Sequence, residues 1–358
     1  MRRRCPESTL GSSDRSVRIT AVESGQSGWD EFVQSHPGAS SYHRFGWKEA
    51  FARSFGHPCH YLAAVDDSGH WQGILPLVHM HSRMFGNFLV SLPFVNYGGL
   101  LCRSEAAAAL LLEEAQSVRR SRGAAYVELR HVTARHGNLP TRSHKVSMVL
   151  PLAQSDGEQW KAFDPKLRNQ IRKAQKSGLQ FRRGHLELLD AFYDVFTRNM
   201  RDLGTPVYGK SFFRHILEAF PETTAILLVT HERRPIAAGI ASWFKQQFEV
   251  PWASSIKAFK PLCPNHMLYW EAIRFAIERG FSKFDFGRST PNEGTYNFKK
   301  HWGALPVALN WQYLMDDRGR IPDLSPANPR YRIAVRAWQY LPLAITKVLG
   351  PRIVRNIP

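Results

Sequence analysis

Cysteine and acid are both scarce in this chain, and each shortage narrows what it can be. The four cysteines, Cys5, Cys59, Cys102 and Cys263, form no Cys-x-x-Cys pair and no metal-ligand spacing. Neither a disulfide framework nor a metal site is expected, and a reduced, cytoplasmic protein is the simplest account. Asp and Glu number 30 against 48 Lys and Arg, a net charge of +18. So cationic a surface attracts nucleic acid, anionic lipid headgroups or phosphorylated substrates, and composition alone does not choose among them. There is no Gly-x-Ser-x-Gly motif and no cysteine with recognisable catalytic partners. Met84–Cys102 is uncharged and long enough to raise a membrane span, but Asn87, Pro93, Asn96 and Gly98–Gly99 fit strand–turn–strand instead. No transmembrane segment is expected. Residues 1–16 carry Arg2–Arg4 with no apolar run behind them and read as a disordered basic leader, not a signal peptide.

What is present is globular. Hydrophobic residues make up 43% of 358, with ten Trp, enough for two domains with a core each. Val17–Val22 reads as a strand, followed by helical stretches of which one lies around Gly46–Ser54. Cys59–Val65 and Trp71–His81 alternate about the turn Asp66–Gly69, a hairpin. His79 and His81 share one face of its return strand, and no third ligand accompanies them. Glu105–Ser121 is a helix stopped by Gly123, and Ala124–Arg130 a strand. Arg122–Arg130 then reappears in outline as Arg279–Arg288: helix end, Gly stop, strand, acid, Arg. In both, the acid (Glu128, Asp285) stands six positions after the first Arg. Each copy follows a helix and, further upstream, a hairpin turning at Asp66–Gly69 or His231–Arg234. The period of about 157 residues is too long for a solenoid and reads as a duplicated domain.

Between the copies, Asp164 is a good N-cap, Pro165 suits the first helical position and Gly178 the stop. Leu167, Ile171 and Ala174 form the buried stripe of this helix, with Arg168, Arg172 and Lys176 along an opposed face. Pro165–Arg183 has seven basic residues and no acid. It is either a solvated face or a surface for phosphates. Amphipathic helices follow over Glu187–Leu203 and Ser211–Phe220, a hairpin over Thr224–Phe244, and a helix over Asn265–Glu278 capped by Asn265. Asn328–Ile357 is again basic without acid, with Ala334, Trp338, Leu341, Ile345 and Val348 at helical spacing and an interruption at Pro342. It suits either an anionic membrane interface or docking on its own domain. The working end is Phe284–Trp302, where a strand opens into a polar turn and a run carrying Phe298, Lys299, Lys300 and Trp302.

Several segments resemble the Fem aminoacyltransferases. They are Leu167–Gly178, the Gly204–Tyr208 loop, Phe284–Ser289 and above all Tyr296–Ala304 (YNFKKHWGA). Together with Ser91–Gly99 and the tail Asn328–Asn356, they look most like the FemAB-like branch associated with exosortase/PEP-CTERM and exopolysaccharide systems. The resemblance implies an α/β (α+β) chain of two tandem GCN5-like N-acyltransferase domains, mixed sheets flanked by helices. No segment matches the coiled-coil arm of typical Fem ligases. The resemblance further implies amide formation on an amino group of a lipid- or nucleotide-linked saccharide precursor. The donor is left open between aminoacyl-tRNA and acyl-coenzyme A, with no tightly bound cofactor. The turn Lys257–Asn265, where coenzyme A pyrophosphate binds in the wider fold, has no Gly and two prolines, though Lys257 and Lys260 offer charge.

By the same resemblance Phe298 and Lys299 fall on the substrate-pocket motif, together with Tyr296, Lys300 and Trp302. Lys299 suits a cation beside a developing oxyanion. Asp285 is either the base that accepts the amine proton or a structural partner of Arg288. Trp47 and Lys48 lie in the stretch resembling the acceptor-phosphate region, and Asn96, Tyr97 and Tyr208 are loop residues suited to acceptor contacts. The expected division is a leader (1–16), domains at 17–155 and 156–325, and a basic tail (326–358). The expected location is cytoplasmic, at the inner face of the membrane if the tail meets lipid. An acetyl-coenzyme A-dependent N-acetyltransferase and a non-catalytic polyanion- or polysaccharide-binding protein are the alternatives.

Overall fold

Each half of the chain lays down its strands in the same order. The first supplies β1 (Val17–Ala21), β2 (Cys59–Asp66), β3 (Trp71–Ser82), β4 (Gly86–Val90), a two-residue β5 (Leu101–Cys102) and β6 (Tyr126–His131), with β7 (Thr141–Pro151) leading out. The second supplies β8 (Leu179–Gly184), β9 (Thr224–His231), β10 (Arg234–Phe244), β11 (Gln247–Ser255), β12 (Lys283–Ser289) and β13 (Leu305–Met315). Helices α1 (Gln26–Ser35), α2 (Gly46–Phe55) and α3 (Glu105–Ser121) belong to the first half. Those of the second are α4 (Asp156–Ala162), α5 (Pro165–Lys176), α6 (Leu189–Asp202), α7 (Lys210–Ala219), α8 (Pro264–Glu278) and α9 (Gly294–His301). The tail forms α10 (Pro329–Tyr340) and α11 (Leu343–Val354), parted at Pro342 as expected. This computed structural model describes residues 17–24, 26–132, 136, 138–316, 319, 321 and 329–357; the expected leader lies outside them.

The strands form one mixed sheet in the order β1-β2-β3-β4-β6-β13-β7-β12-β11-β10-β9-β8, with β5 set against β3. The duplication read from Arg122–Arg130 and Arg279–Arg288 is visible here as topology. In each half an antiparallel run ends in a parallel pair across a helix, β4 with β6 and β11 with β12. The expected boundary between 155 and 156 is crossed by two strands. β7, from the first half, pairs with β12, while β13, from the second, pairs with β6. Each half therefore completes the other's sheet, and β7 and β13 pair with one another at the centre.

The halves also share a core. On α2, Trp47, Phe51 and Phe55 recur every four residues; Phe212 and Ile216 of α7 and Phe220 at its C-terminal cap keep the same spacing, so each helix presents one apolar stripe. The stripes meet, with Trp47 and Phe220 ring centroids 5.3 Å apart and Phe55 and Phe212 4.9 Å apart. Gly46 allows the approach, since a Cβ there would lie 2.8 Å from the Phe220 ring. Locally the chemistry follows the expected signals. Asp66 accepts from the amides of Ser68 and His70 to close the first hairpin, and Asp164 accepts from the Leu167 amide to start α5.

Strand β11 was not foreseen. Pro251 interrupts its pattern and argues against a strand interior, but it sits where the β10 register slips between Ile240 and Ser242. A proline is tolerated at such a bulge because no ladder bond depends on it.

Candidate functional site

The parallel ladder of β11 and β12 has three rungs, Gln247–Lys283, Phe248–Phe284 and Glu249–Asp285, and stops there. Beyond it the two strands pair only outward, β11 with β10 and β12 with β7. A turn of backbone at Gly287 (φ +77°) bulges β12 at this point. Asp285 and Glu249 are thus held side by side at the base of a fork, 1% and 3% exposed.

First-half residues close over them. The loop after β4 threads the matching fork between β4 and β6, where the Ser91 amide donates to the Glu128 carbonyl and the Gly98 amide to that of Arg130. It delivers Asn96 and Tyr97 to the second-half carboxylates. Asn96 Nδ2 donates to Glu249 Oε1 at 2.7 Å, and Tyr42 Oη donates to the same oxygen at 2.6 Å. Tyr97 Oη donates to Asp285 Oδ2 at 3.1 Å, and Gln247 Nε2 to Tyr97 Oη at 2.6 Å. Ser147 Oγ and the Gly287 amide donate to Asp285 Oδ1 at 2.6 and 2.7 Å.

Lys299 projects from α9 onto β12, 8% exposed, and its Nζ donates to the carbonyls of Gly287 (2.9 Å) and Arg288 (3.0 Å). It is no surface lysine. Burial pulls its pKa down to about 8, against the opposing pull of Asp285. Burial and the neighbouring Asp285 push the Glu249 carboxyl up to about 8, and burial pushes Asp285 upward too, opposed by its donors. The cluster therefore holds a carboxyl and an amine both brought to about 8, beside a second buried carboxyl that burial also pushes upward. Such an arrangement is suited to moving a proton from an attacking amine and to offering a positive charge to an oxyanion.

Arg288 is not the partner of Asp285. Its guanidinium lies 5.3 Å from the centroid of the Trp311 ring, which also carries the Arg130 guanidinium at 4.4 Å. Burial, then Arg130, lowers the Arg288 pKa to about 10. Arg130 in turn donates to Glu128 at 2.7 Å, so the repeat's Glu–Arg pair exists in the first copy only. Tyr208 approaches from the Gly204–Tyr208 loop, packed on Phe94 and Phe212, with its hydroxyl pKa raised by burial.

The remaining expected site residues lie elsewhere. Trp47 is a core residue whose Nε1 donates to the Ser41 carbonyl. Lys48 faces the carbonyls of Val22 and Glu23, at 2.7 and 2.9 Å, which ties α2 to the end of β1 in place of a phosphate. Phe298 of α9 and Trp302 at its C-terminal cap are four residues apart and pack with His266 against the second-half core, and Tyr296 packs on that core. Lys300 instead lines a surface hollow of about 440 Å³ beside Asp164 and His301. Arg168, Arg172 and Lys176 remain on the outer face of α5, without an ion pair among the described residues; Arg172 rests on the Trp160 ring.

The sequence reading missed Glu249, Tyr42, Gln247 and Ser147. The signal for Glu249 was present: it is the one charge in the apolar run Phe248–Trp252. At the start of α8, Pro264 has no amide, and those of His266 and Met267 donate to the Cys263 carbonyl. The cap is Cys263, not Asn265, and few free amides remain for a pyrophosphate. Among the described residues no group of His, Cys, Asp and Glu is arranged to hold a metal, and no helix is long and apolar enough to cross a membrane.

The profile of the acetyltransferase (GNAT) domain family matches residues 162–300. FemX superposes over 81% of this chain and 96% of its own, with a TM-score of 0.62 at 16% identity. The C-terminal domain of a putative lysylphosphatidylglycerol synthetase from Agrobacterium fabrum covers 81% and 91%, TM-score 0.53, at 9% identity. A tandem GNAT protein from the clavulanic acid biosynthesis pathway covers 83% and 97%, TM-score 0.51, at 8% identity. A comparison with curated proteins gives no match. The fold is accordingly two tandem GNAT domains with mixed sheets flanked by helices, in a FemAB-like arrangement.

Proposed function

We propose that this protein is an N-acyl or aminoacyl transferase that forms an amide on an amino group of a cell-envelope or exopolysaccharide precursor. The observation that carries the reading is the buried Glu249–Asp285 pair at the parting of β11 and β12, with Lys299 beside it. The amine nitrogen attacks the donor carbonyl, a C–N bond forms, and the C–O bond of an ester or the C–S bond of a thioester breaks. Asp285 accepts the proton that the amine must lose, and the oxygen or sulfur that departs with the bonding pair takes up a proton to leave as the alcohol or thiol. Lys299 faces the negative charge that develops on the carbonyl oxygen, and protonated Glu249 keeps a second anion from forming beside Asp285. Inner-edge amides and carbonyls of β11 and β12, unpaired with one another beyond the last rung, suit an amide-containing donor or acceptor laid between them.

Two donors are argued from different observations. The engaged amides at the start of α8 favour an aminoacyl ester, as does the fold shared with FemX. The match of residues 162–300 to an acetyltransferase domain favours acyl-coenzyme A. The acceptor reading rests on the basic surface and on the resemblance of Ser91–Gly99 and Tyr296–Ala304. Labelled acetyl-coenzyme A and a labelled charged-tRNA pool, supplied separately with a glycolipid extract, discriminate the donors. Transfer that falls about 100-fold or more in Lys299→Ala and Asp285→Asn, with the fold intact, is expected. Turnover unchanged in both variants would remove the cluster from the chemistry.

A further inference from the structure

The tail docks on its own chain by one face of α11 and leaves another face exposed. Thr346, Gly350 and Val354 form the buried face of α11, and Gly350 sits so near Val207 that a Cβ would lie 2.8 Å from it. Lys347 pairs with Asp194 of α6 at 3.4 Å, and the Arg355 carbonyl accepts from His57 Nε2 at 2.7 Å. The opposite face carries Ile345, Val348 and Leu349, which are 41%, 58% and 39% exposed, and one turn further Arg352. These four fall within one side of the helix at 100° per residue.

Arg352, at the end of that face, also lines a cavity of about 640 Å³ between the tail and the first half, together with Arg122, Arg355, His57, His79 and His81 among others, and with no acid. Arg122 and Arg352 have no ion-pair partner among the described residues, and Arg355 donates to the Phe55 carbonyl. Asn87 donates to the carbonyls of Arg122 and Gly123, which aims its Oδ1 at His79 Nε2, 2.7 Å away, and fixes that histidine at the wall. Three guanidinium groups converging with no counterion repel one another unless an anion enters.

We propose that α11 and this cavity are a docking site for an anionic phospholipid surface, the cavity taking a headgroup phosphate while Ile345, Val348 and Leu349 enter the acyl boundary. A soluble phosphate would leave the apolar face without a role. A second copy would have to bring together two chains of net charge +18. An apolar helix face flanked by cations matches what an anionic bilayer offers. The inference is independent of the transferase reading, since the cavity adjoins neither Asp285 nor Lys299 and its test measures binding, not turnover.

The full-length protein is co-sedimented with vesicles of phosphatidylcholine alone and of phosphatidylcholine with phosphatidylglycerol. Binding to the anionic vesicles only is expected. Val348→Asp should weaken it roughly tenfold or more, and Arg122→Ala with Arg352→Ala roughly fivefold for each arginine. Lys166→Ala with Lys173→Ala, which removes the same charge from α5, should leave it within about twofold. Thermal unfolding of each variant verifies its fold. Equal binding by Val348→Asp, or an equal loss in the α5 control, would reduce the effect to net charge and overturn the site. Displacement by inorganic pyrophosphate without loss in Val348→Asp would make it a soluble-anion pocket instead. A dimer in light scattering that Val348→Asp abolishes would make it an interface between copies.

Discussion

Glu249 and Asp285 face each other across the last rung of a parallel ladder, two buried second-half carboxyls that both receive hydrogen bonds from first-half tyrosines, Tyr42 and Tyr97. Because burial holds Glu249 at about 8 against an ordinary 4.5, the folded protein binds a proton there that the unfolded chain releases. Stability from this group is full below about 4.5 and is lost as pH rises through about 8. The buried histidines His43 and His131, both lowered to about 3, act in the opposite direction, since charging them favours unfolding as pH falls. Thermal melts of wild type and Glu249→Gln from pH 5 to pH 8 should therefore diverge, the variant gaining relative to wild type as pH rises. Parallel curves would mean that Glu249 is ionised throughout.

Gly287 should tolerate no side chain. At φ +77° an alanine is strained, and its Cβ would lie 3.2 Å from Asn96 Nδ2, the donor to Glu249. Gly287→Ala is expected to cost roughly 1–2 kcal/mol and to lower turnover by disturbing the carboxylate pair. Denaturant midpoints and initial rates check both; an unaltered rate would detach the bulge from the site.

Lys48 and Lys299 offer a contrast within one residue type. Lys48→Ala is expected to reduce stability by about 1–2 kcal/mol, because it unties α2 from the Val22 and Glu23 carbonyls, and to leave turnover intact. A fall in acceptor affinity with stability unchanged would instead restore it as a phosphate contact.

The halves should not fold apart. Residues 17–155 alone would leave β6 without β13, and 156–325 alone would leave β12 without β7. Each would also expose the α2 or α7 aromatic stripe. A single cooperative transition is expected for the whole chain and dispersed amide spectra from neither fragment. A fragment that folds by itself would show that the exchanged strands are dispensable.

Local signals in this sequence were strong wherever one segment could decide its own conformation. Asp66, Asp164, Gly123, Gly178 and Pro342 act on the backbone within a few residues, so the turns, the bounds of α5 and the break in the tail were legible. The duplication was legible too, because Arg122–Arg130 and Arg279–Arg288 repeat a local pattern. Asp285 and Lys299 stood out as charges on an apolar strand and a short basic run. Tertiary structure alone decided that β7 and β13 change halves, since strand partners form through contacts more than 100 residues apart and leave no local mark. It also decided that Lys48 faces the carbonyls at the end of β1, and that Tyr42 and Asn96 meet Glu249, because side chains distant in sequence become neighbours only when the chain closes on itself.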